Sequence, residues 1–375
     1  MHISNEPLIA GRSKLFCLFV FSIFNIYIYI TIAAGANLMG SDLYNNLIKY
    51  LTSHLRSVKD KSDSLYDLAL LQYYASEWDR FTTAASYVDR LFSYLNKHWV
   101  KREKDEGRKN VYNVYILALV QWKMGFFLPI QDSHSRLVSA ILRQIEKQRN
   151  GEIIETTLIK KVIESLVSLG LDETDSSKQN LEVYQEHFET PFIHATEVYY
   201  RAESEAFVAA NSVTDYLKKC EERLHEEEAR IDVYLHASSR KKLIGGCERA
   251  LITEHIEIMK DEFENMLEYD KEDDLKRIYS LLSRVDALDY LRKKFEDHVK
   301  RTGISSIEKV YGNATLKSEN VEGDEGKPKA EEKGDLEPKA YVDALLEVHK
   351  KCSTTVKIAF KDEPGFTAAL DKVSL

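Results

Sequence analysis

From Ser41 onward, apolar residues recur at steps of three and four almost without interruption. That is the period of an α-helix with one buried face. Little in the chain can break such helices, because 375 residues hold only 15 glycines and 6 prolines. Hairpins, sandwiches and propellers need far more turn residues than this. The expected fold class is therefore all-α, an elongated solenoid of long helices joined by short connections. With 44% hydrophobic and 30% charged residues, the chain also has enough apolar surface to order itself. Its length admits two or three domains and a core that needs no disulfide or metal.

The periodicity divides the first half into five segments. Ser41-Asp42 caps a helix carrying Leu43, Leu47, Tyr50, Leu51 and Leu55, and a polar turn is expected at 59–64. A second helix carries Leu65 to Trp78 and a third carries Ala84 to Trp99. The charged run 101–109 reads as a connector to a strongly apolar fourth helix, Val111 to Phe127, which Pro129 should stop. A fifth, from about Val138 to Gln148, should end at Asn150-Gly151. Beyond it lie three further stripes. Leu181, Tyr184, Phe188, Phe192, Ala195, Tyr199, Ala202 and Ala206 form one, with Pro191 expected to kink it. Val213, Leu217, Cys220, Leu224, Ile231 and Leu235 form another, and Ile244, Cys247, Leu251, Ile258 and Met266 a third. Such blocks recur at roughly a hundred residues, the mark of stacked helical bundles. Residues 316–338 hold eight acids, four lysines, three glycines and two prolines, so a flexible acidic loop is expected there.

The front of the chain has a different character. Leu15 to Ala34 is uncharged, follows Arg12 and Lys14, and leads into Ala34-Gly35-Ala36. Its length and layout are those of a signal or membrane anchor. Its Ile26-Tyr27-Ile28-Tyr29-Ile30 run prefers a strand. The alternative is an atypical front end with no targeting role.

No catalytic pattern appears. His255-Ile256-Glu257 matches half of a deaminase site, but no P-C-x-x-C follows, and His255 lies near an apolar stripe. Gly-rich phosphate loops and nucleophile elbows are absent. Gly245-Gly246 sits inside a helical pattern and suggests close helix packing. Glu221-Glu222 and Glu226 to Glu228 fall on what should be a solvated helix face. Cys17, Cys220, Cys247 and Cys352 stand far apart, without zinc spacing, which fits a reducing compartment. Asn313-Ala314-Thr315 is a sequon, meaningful only for a secreted chain. The net charge of −9 disfavours nucleic acid as a partner. One local exception is the run Lys97 to Lys109, with six positive and three negative side chains. It is either a solvated connector or a surface for an anionic partner. No cofactor and no metal are expected.

Tyr94-Leu-Asn-Lys-His-Trp-Val-Lys-Arg-Glu-Lys-Asp-Glu-Gly-Arg-Lys109 and Val111-Tyr-Asn-Val-Tyr-Ile-Leu-Ala-Leu-Val-Gln-Trp122 resemble the cullin family in order and spacing. So do Ile145 to Glu152, Thr196 to Ser204, Tyr234 to Ser239, Ala359-Phe360 and Gly365 to Lys372. The resemblance runs from Leu43 to Leu375 and is strongest to the SCF-type cullin, the scaffold that recruits F-box proteins through a Skp-family adaptor.

The resemblance implies stacked five-helix cullin repeats that catalyse nothing and hold partners at a set separation. It divides the chain into residues 1–40, repeat one (41–170, without its first two helices), repeat two (171–275) and an incomplete repeat three (276–375). The partners it implies are the Skp-family adaptor and F-box proteins, bound through the second and fifth helices of repeat one. With the second helix absent, that binding is expected to be weakened. The RING-box protein binds the C-terminal half in the family and is not expected here. In the helix Val111 to Phe127, which the resemblance implies carries the remaining contact, Tyr112, Tyr115, Leu119 and Trp122 form one stripe, the expected adaptor contact if exposed and core otherwise. Val111, Val114, Ala118 and Phe126 form the face expected to enter the bundle. A cytoplasmic and nuclear location follows from the resemblance. The alternatives are a membrane-anchored helical protein, held through 15–34, with a cullin-derived stalk, or a truncated product without function.

Overall fold

A computed structural model describes residues 40–171, 180–319 and 338–374. Every regular element among them is helical. The apolar segment 15–34 lies outside the described residues, as does most of the expected acidic loop. The first residues assigned to that loop, 316–319, instead finish a helix. The described residues gather into two compact units. One comprises residues up to Ala195 with Arg230–Ser239, the other Thr196–Ala229 with Arg240–Leu375. The division between the units falls inside two long helices.

In the first unit α1 spans Gly40–Ser62 and α2 spans Asp67–Leu91. The second and third helices expected from the sequence are thus one and a break: α2 runs unbroken through Trp78 and Ala84 and ends at Leu91. Its interior residues Leu71, Tyr74, Trp78, Phe81, Ala85 and Val88 keep a single phase and are all buried. After it, α3 continues through Ser93–Leu95, a π-helical turn at Asn96–Val100 and Lys101–Asp105. Half the expected connector is therefore helix, and Gly107, with φ +81°, closes it by accepting the left-handed conformation.

Next, α4 comprises Val114–Trp122, a π-helical turn at Lys123–Phe127 and Leu128–Asp132. Pro129 does not stop it. A proline ring clashes with the carbonyl four residues back in a regular helix, but here the preceding turn is widened and the Leu128 N–H reaches the Lys123 carbonyl. The same device recurs at Pro191. There the π-helical turn Gln185–Glu189 precedes it, and the Thr190 N–H binds the Gln185 carbonyl. By length and composition Val114–Asp132 is apolar enough to cross a membrane; in this unit Trp122, Phe126, Phe127 and Ile130 place it in the core. The bundle closes with α5 (Arg136–Arg149) and α6 (Thr156–Ser168). As expected, α5 ends at Asn150-Gly151: Gly151 has φ +88°, and its N–H and that of Glu152 bind the last carbonyls.

The next helix, α7, runs through Glu182–Tyr184, the π-helical turn and Thr190–Ala210, and α8 spans Val213–Tyr234. Along α7 the buried positions include Tyr184, Phe188, Phe192, Thr196, Tyr200 and Ser204. This departs from the apolar stripe, whose Ala202 and Ala206 are exposed. One of these buried polar groups has its partner on α8: the Tyr200 hydroxyl donates to Glu227 Oε1 at 2.5 Å. Glu227 is correspondingly buried, not solvated, and fills the seven-residue gap in the α8 stripe between Leu224 and Ile231. Glu221 and Glu222 are exposed as expected. At the foot of α8, Ser239 donates to Glu189 Oε1 at 2.6 Å and lies 2.7 Å from the Tyr184 hydroxyl. This fixes the turn Tyr234 to Ser239.

The second unit continues with α9 (Arg240–Leu251), α10 (Ile256–Glu268), α11 (Glu272–Arg284), α12 (Leu288–Glu319), α13 (Pro338–Ala359) and α14 (Pro364–Ser374). A tight turn at Thr253–His255 separates α9 from α10 and shifts the phase of the third stripe. Ile258 is consequently exposed and Met259 buried. His255 is half-buried with its ring edge-to-face on Tyr216. Phe360 stacks on Phe366 at 4.1 Å, with Phe295 and Tyr279 around them. These aromatics are the core on which α12, α13 and α14 meet.

Candidate functional site

The start of α4 is built from residues far away in sequence. A helix leaves its first N–H groups without partners, and here Asn113 makes no side-chain cap. Two other side chains do. Asn96 Oδ1 accepts the Val114 N–H at 3.0 Å, and Asp89 Oδ1 accepts the Tyr115 N–H at 3.1 Å. Asn96 Nδ2 donates to the same Asp89 oxygen at 2.8 Å, which fixes both caps. A carboxylate at this end also suits the helix dipole. Just before the helix, the Tyr44 hydroxyl accepts the Tyr112 N–H at 2.9 Å and donates to the Tyr112 carbonyl at 3.1 Å. Burial pushes the Tyr44 pKa up to about 12, so it keeps the proton it donates. α1 and α4 lie side by side, with Thr52 donating to Gln121 Oε1 at 3.0 Å. A β-carbon on Gly125 would meet the Leu55 side chain at 3.4 Å, so the two helices are in close contact there.

This frame separates the four residues expected to form one contact stripe. Trp122 is 0% exposed, Leu119 3% and Tyr112 8%. All three are core, which corrects the expectation of a single exposed stripe: the indole is enclosed by Tyr74, Trp78, Phe81 and Phe126. Tyr115 alone keeps accessible surface, and burial, then the Asp89 charge, raise its pKa. Val114, Ala118 and Phe126 enter the core as expected, whereas Val111 is half-buried.

With both stripes turned inward or aside, the outer arc of α4 is Ile116, Val120 and Met124, at steps of four. Ile116 and Val120 are half-buried and Met124 is 60% exposed. The sequence reading missed this arc because it ranked positions by aromatic content. Its signal was the third apolar row, opposite the two already assigned. The arc is uncharged, Lys123 lies beside it, and α4 is held rigid at its start by two caps. Exposed apolar side chains on a helix are the kind of surface that protein partners use. Among the described residues no cluster of three or more His, Cys, Asp or Glu is placed to hold a metal.

Amphipathic helices packed in consecutive bundles, with an outward apolar helix face, define an α-helical repeat protein. The cullin alpha solenoid domain matches residues 23–374. The chain is 42% identical over 341 residues to Cullin-1 of Dictyostelium discoideum, covering 91% of this chain and 41% of that protein. It is 36% identical over 349 residues to Cullin-1 of Caenorhabditis elegans, covering 91% and 42%. To cell division control protein 53 of Saccharomyces cerevisiae it is 32% identical over 338 residues, covering 89% and 40%. The chain belongs to the cullin family. It spans about two fifths of the length of these relatives. The family match begins at residue 23, earlier than the resemblance at Leu43, and so takes in part of the apolar segment.

Proposed function

We propose that this chain is a non-catalytic scaffold of the SCF type in ubiquitin-dependent protein breakdown, docking a Skp-family adaptor and, through it, F-box proteins. The observation that supports this most is the outer arc Ile116, Val120 and Met124 with Tyr115 beside it, on a helix whose start is locked by Asp89 and Asn96. Its relatives by sequence include Cullin-1 proteins from three organisms. A scaffold needs a rigid element with an accessible apolar face, and α4 meets both requirements. On this reading the chain resides in cytosol and nucleus, and alkaline carbonate extraction should release it into the soluble fraction. The direct test is titration of the purified chain with a Skp-family adaptor bound to an F-box protein. Saturable binding that is lost when the α4 arc is made charged supports the proposal. Undiminished binding after that change removes α4 from the interface.

A further inference from the structure

The run Lys97 to Lys109 is not an evenly mixed connector. Its two arginines pair with Glu103 and Glu106, and the exposed Asp105 adds one negative charge beside its lysines. Glu103 is 3% exposed, and its carboxylate is held by Arg108 at 2.5 Å and by Arg102 at 3.4 Å. Arg102 also lies 3.9 Å from Glu106. The lysines are left over. Lys97, Lys101 and Lys104 are exposed and make no ion pair among the described residues. They follow Tyr94 at steps of three, four and three, on the side of α3 opposite the buried Leu95, Val100 and Glu103. Tyr94 is 49% exposed, and its ring packs on His98 at 4.1 Å. In a chain with net charge −9, this face sets three lysines against one exposed carboxylate, Asp105, on a helix anchored to the bundle through Asn96.

We propose that this outer face of α3, carried by Tyr94, Lys97, Lys101 and Lys104, docks an acidic segment of a partner protein. The lysines stand four and three residues apart in sequence. That spacing matches glutamates at i, i+4 and i+7 of an acidic helix, or alternate residues of an extended acidic strand. Ammonium groups serve as point charges for anions, whereas planar two-point recognition of a carboxylate or a phosphate calls for arginine. The arginines of this run are already committed to Glu103 and Glu106. Tyr94 adds an amphipathic anchor at one end of the stripe. The proposal does not depend on adaptor docking at α4, since it concerns a different helix and a different chemistry.

The test uses the full chain and a labelled deca-glutamate peptide, read by fluorescence anisotropy at low and physiological salt. Each exposed ion pair contributes up to about a fivefold factor, so K97E/K101E/K104E should weaken binding at least about tenfold. The glutamine version, K97Q/K101Q/K104Q, should show a smaller loss in the same direction. K160E/K276E/K293E applies the same charge change at exposed lysines elsewhere and should cost less than about threefold, because distant exposed charges are screened. Circular dichroism melts establish that each variant is folded. Equal losses in the two glutamate-bearing triples would assign binding to net charge and overturn the site. Tighter binding of a single-stranded oligonucleotide of equal charge, or of anionic phospholipid vesicles, through the same three lysines would overturn the acidic protein segment as its occupant.

Discussion

The indole Nε1 of Trp122 donates a hydrogen bond to the phenol oxygen of Tyr74 at 3.1 Å, with both side chains fully buried. This bond explains why a tryptophan from an apparent contact stripe belongs to the core. A buried indole needs an acceptor for its N–H, and α2 supplies one inside the bundle. The Ser165 hydroxyl, 3.2 Å from the same phenol, extends the contact to α6. One polar atom thus joins three helices in the middle of an aromatic cluster.

Removing that atom should be costly. Tyr74→Phe keeps the ring but leaves the Trp122 N–H unpaired, and an orphaned buried donor costs about 1–3 kcal/mol. Ser165→Ala should cost less, because Trp122 keeps its acceptor. Urea unfolding measures both. Equal stability of wild type and Tyr74→Phe would show that the bond contributes nothing net.

On the outer arc of α4, Met124→Glu and Val120→Glu place charge on a surface proposed to be desolvated by a partner. Each should weaken capture of a Skp-family adaptor complex by tenfold or more, since a hot-spot loss is about 2 kcal/mol or greater. Their melting temperatures should stay close to wild type, because Met124 is 60% exposed and Val120 half-buried. Calorimetric titration decides the matter. Full affinity in both variants would move the docking surface off α4.

Much of the architecture was legible because apolar period reports the buried face directly. The α8 stripe at Leu217, Cys220, Leu224 and Ile231 is buried throughout, and Gly151 marks a real helix end. Where the period misled, polar side chains had been buried. Thr196, Ser204 and Glu227 look like surface residues in a sequence and are less than 2% exposed in the fold. The gap in the α8 stripe at Glu227 was the available clue. The π-helical turns before Pro129 and Pro191 were illegible for another reason: a proline signals a break locally, while tertiary packing sustains the helix through it. The candidate site was half legible. Its helix was identified, but aromatic residues attract both cores and interfaces, and burial alone told them apart.

At the turn after α8, Ser239 bridges the Tyr184 hydroxyl and the Glu189 carboxylate with all three side chains buried. Ser239→Ala should destabilise the chain by about 1–3 kcal/mol, the cost of leaving buried polar atoms short of a partner. Tyr184→Phe combined with Ser239→Ala should cost less than the sum of the two, because they remove one shared contact. A full double-mutant cycle in urea measures the coupling. Strict additivity would mean that the hydroxyls do not interact.

His298 in α12 gives a dependence on pH. Burial, then the nearby Arg301 and Lys351 charges, lower its pKa below the ordinary value of 6.5, against an opposing pull from Asp270 and Glu268. The folded state therefore prefers the neutral ring. Above pH 6.5 neither state holds the proton and the contribution to stability is complete. As pH falls below 6.5 the unfolded chain binds the proton first, and stability declines until the folded pKa is passed. His298→Gln should flatten this part of the profile relative to wild type between pH 7.5 and 5.5. Parallel urea midpoints for the two proteins across that window would exclude His298 as a contributor.

Two glycines make opposite predictions from the same criterion. Gly245 lies within α9, and a β-carbon there would meet no atom within 4 Å. This corrects the expectation that the Gly245-Gly246 pair marks close helix packing at its first residue. Glycine in a helix interior is about 0.8–1.0 kcal/mol less favourable than alanine, so Gly245→Ala should stabilise the chain by roughly that amount. Gly365 opens α14 directly against the Arg292 guanidinium, where a β-carbon would overlap Nε and Cδ. That side chain is already engaged, with Arg292 Nη2 bonded to Glu363 Oε1 at 2.7 Å and Nε to Glu363 Oε2 at 3.3 Å. Gly365→Ala must push it aside and disturb a pair that tethers α12 to the turn before α14. Thermal melts should therefore move up for Gly245→Ala and down for Gly365→Ala. If Gly245→Ala melts lower than wild type, the space beside α9 is occupied and the helix-packing reading of that glycine is restored.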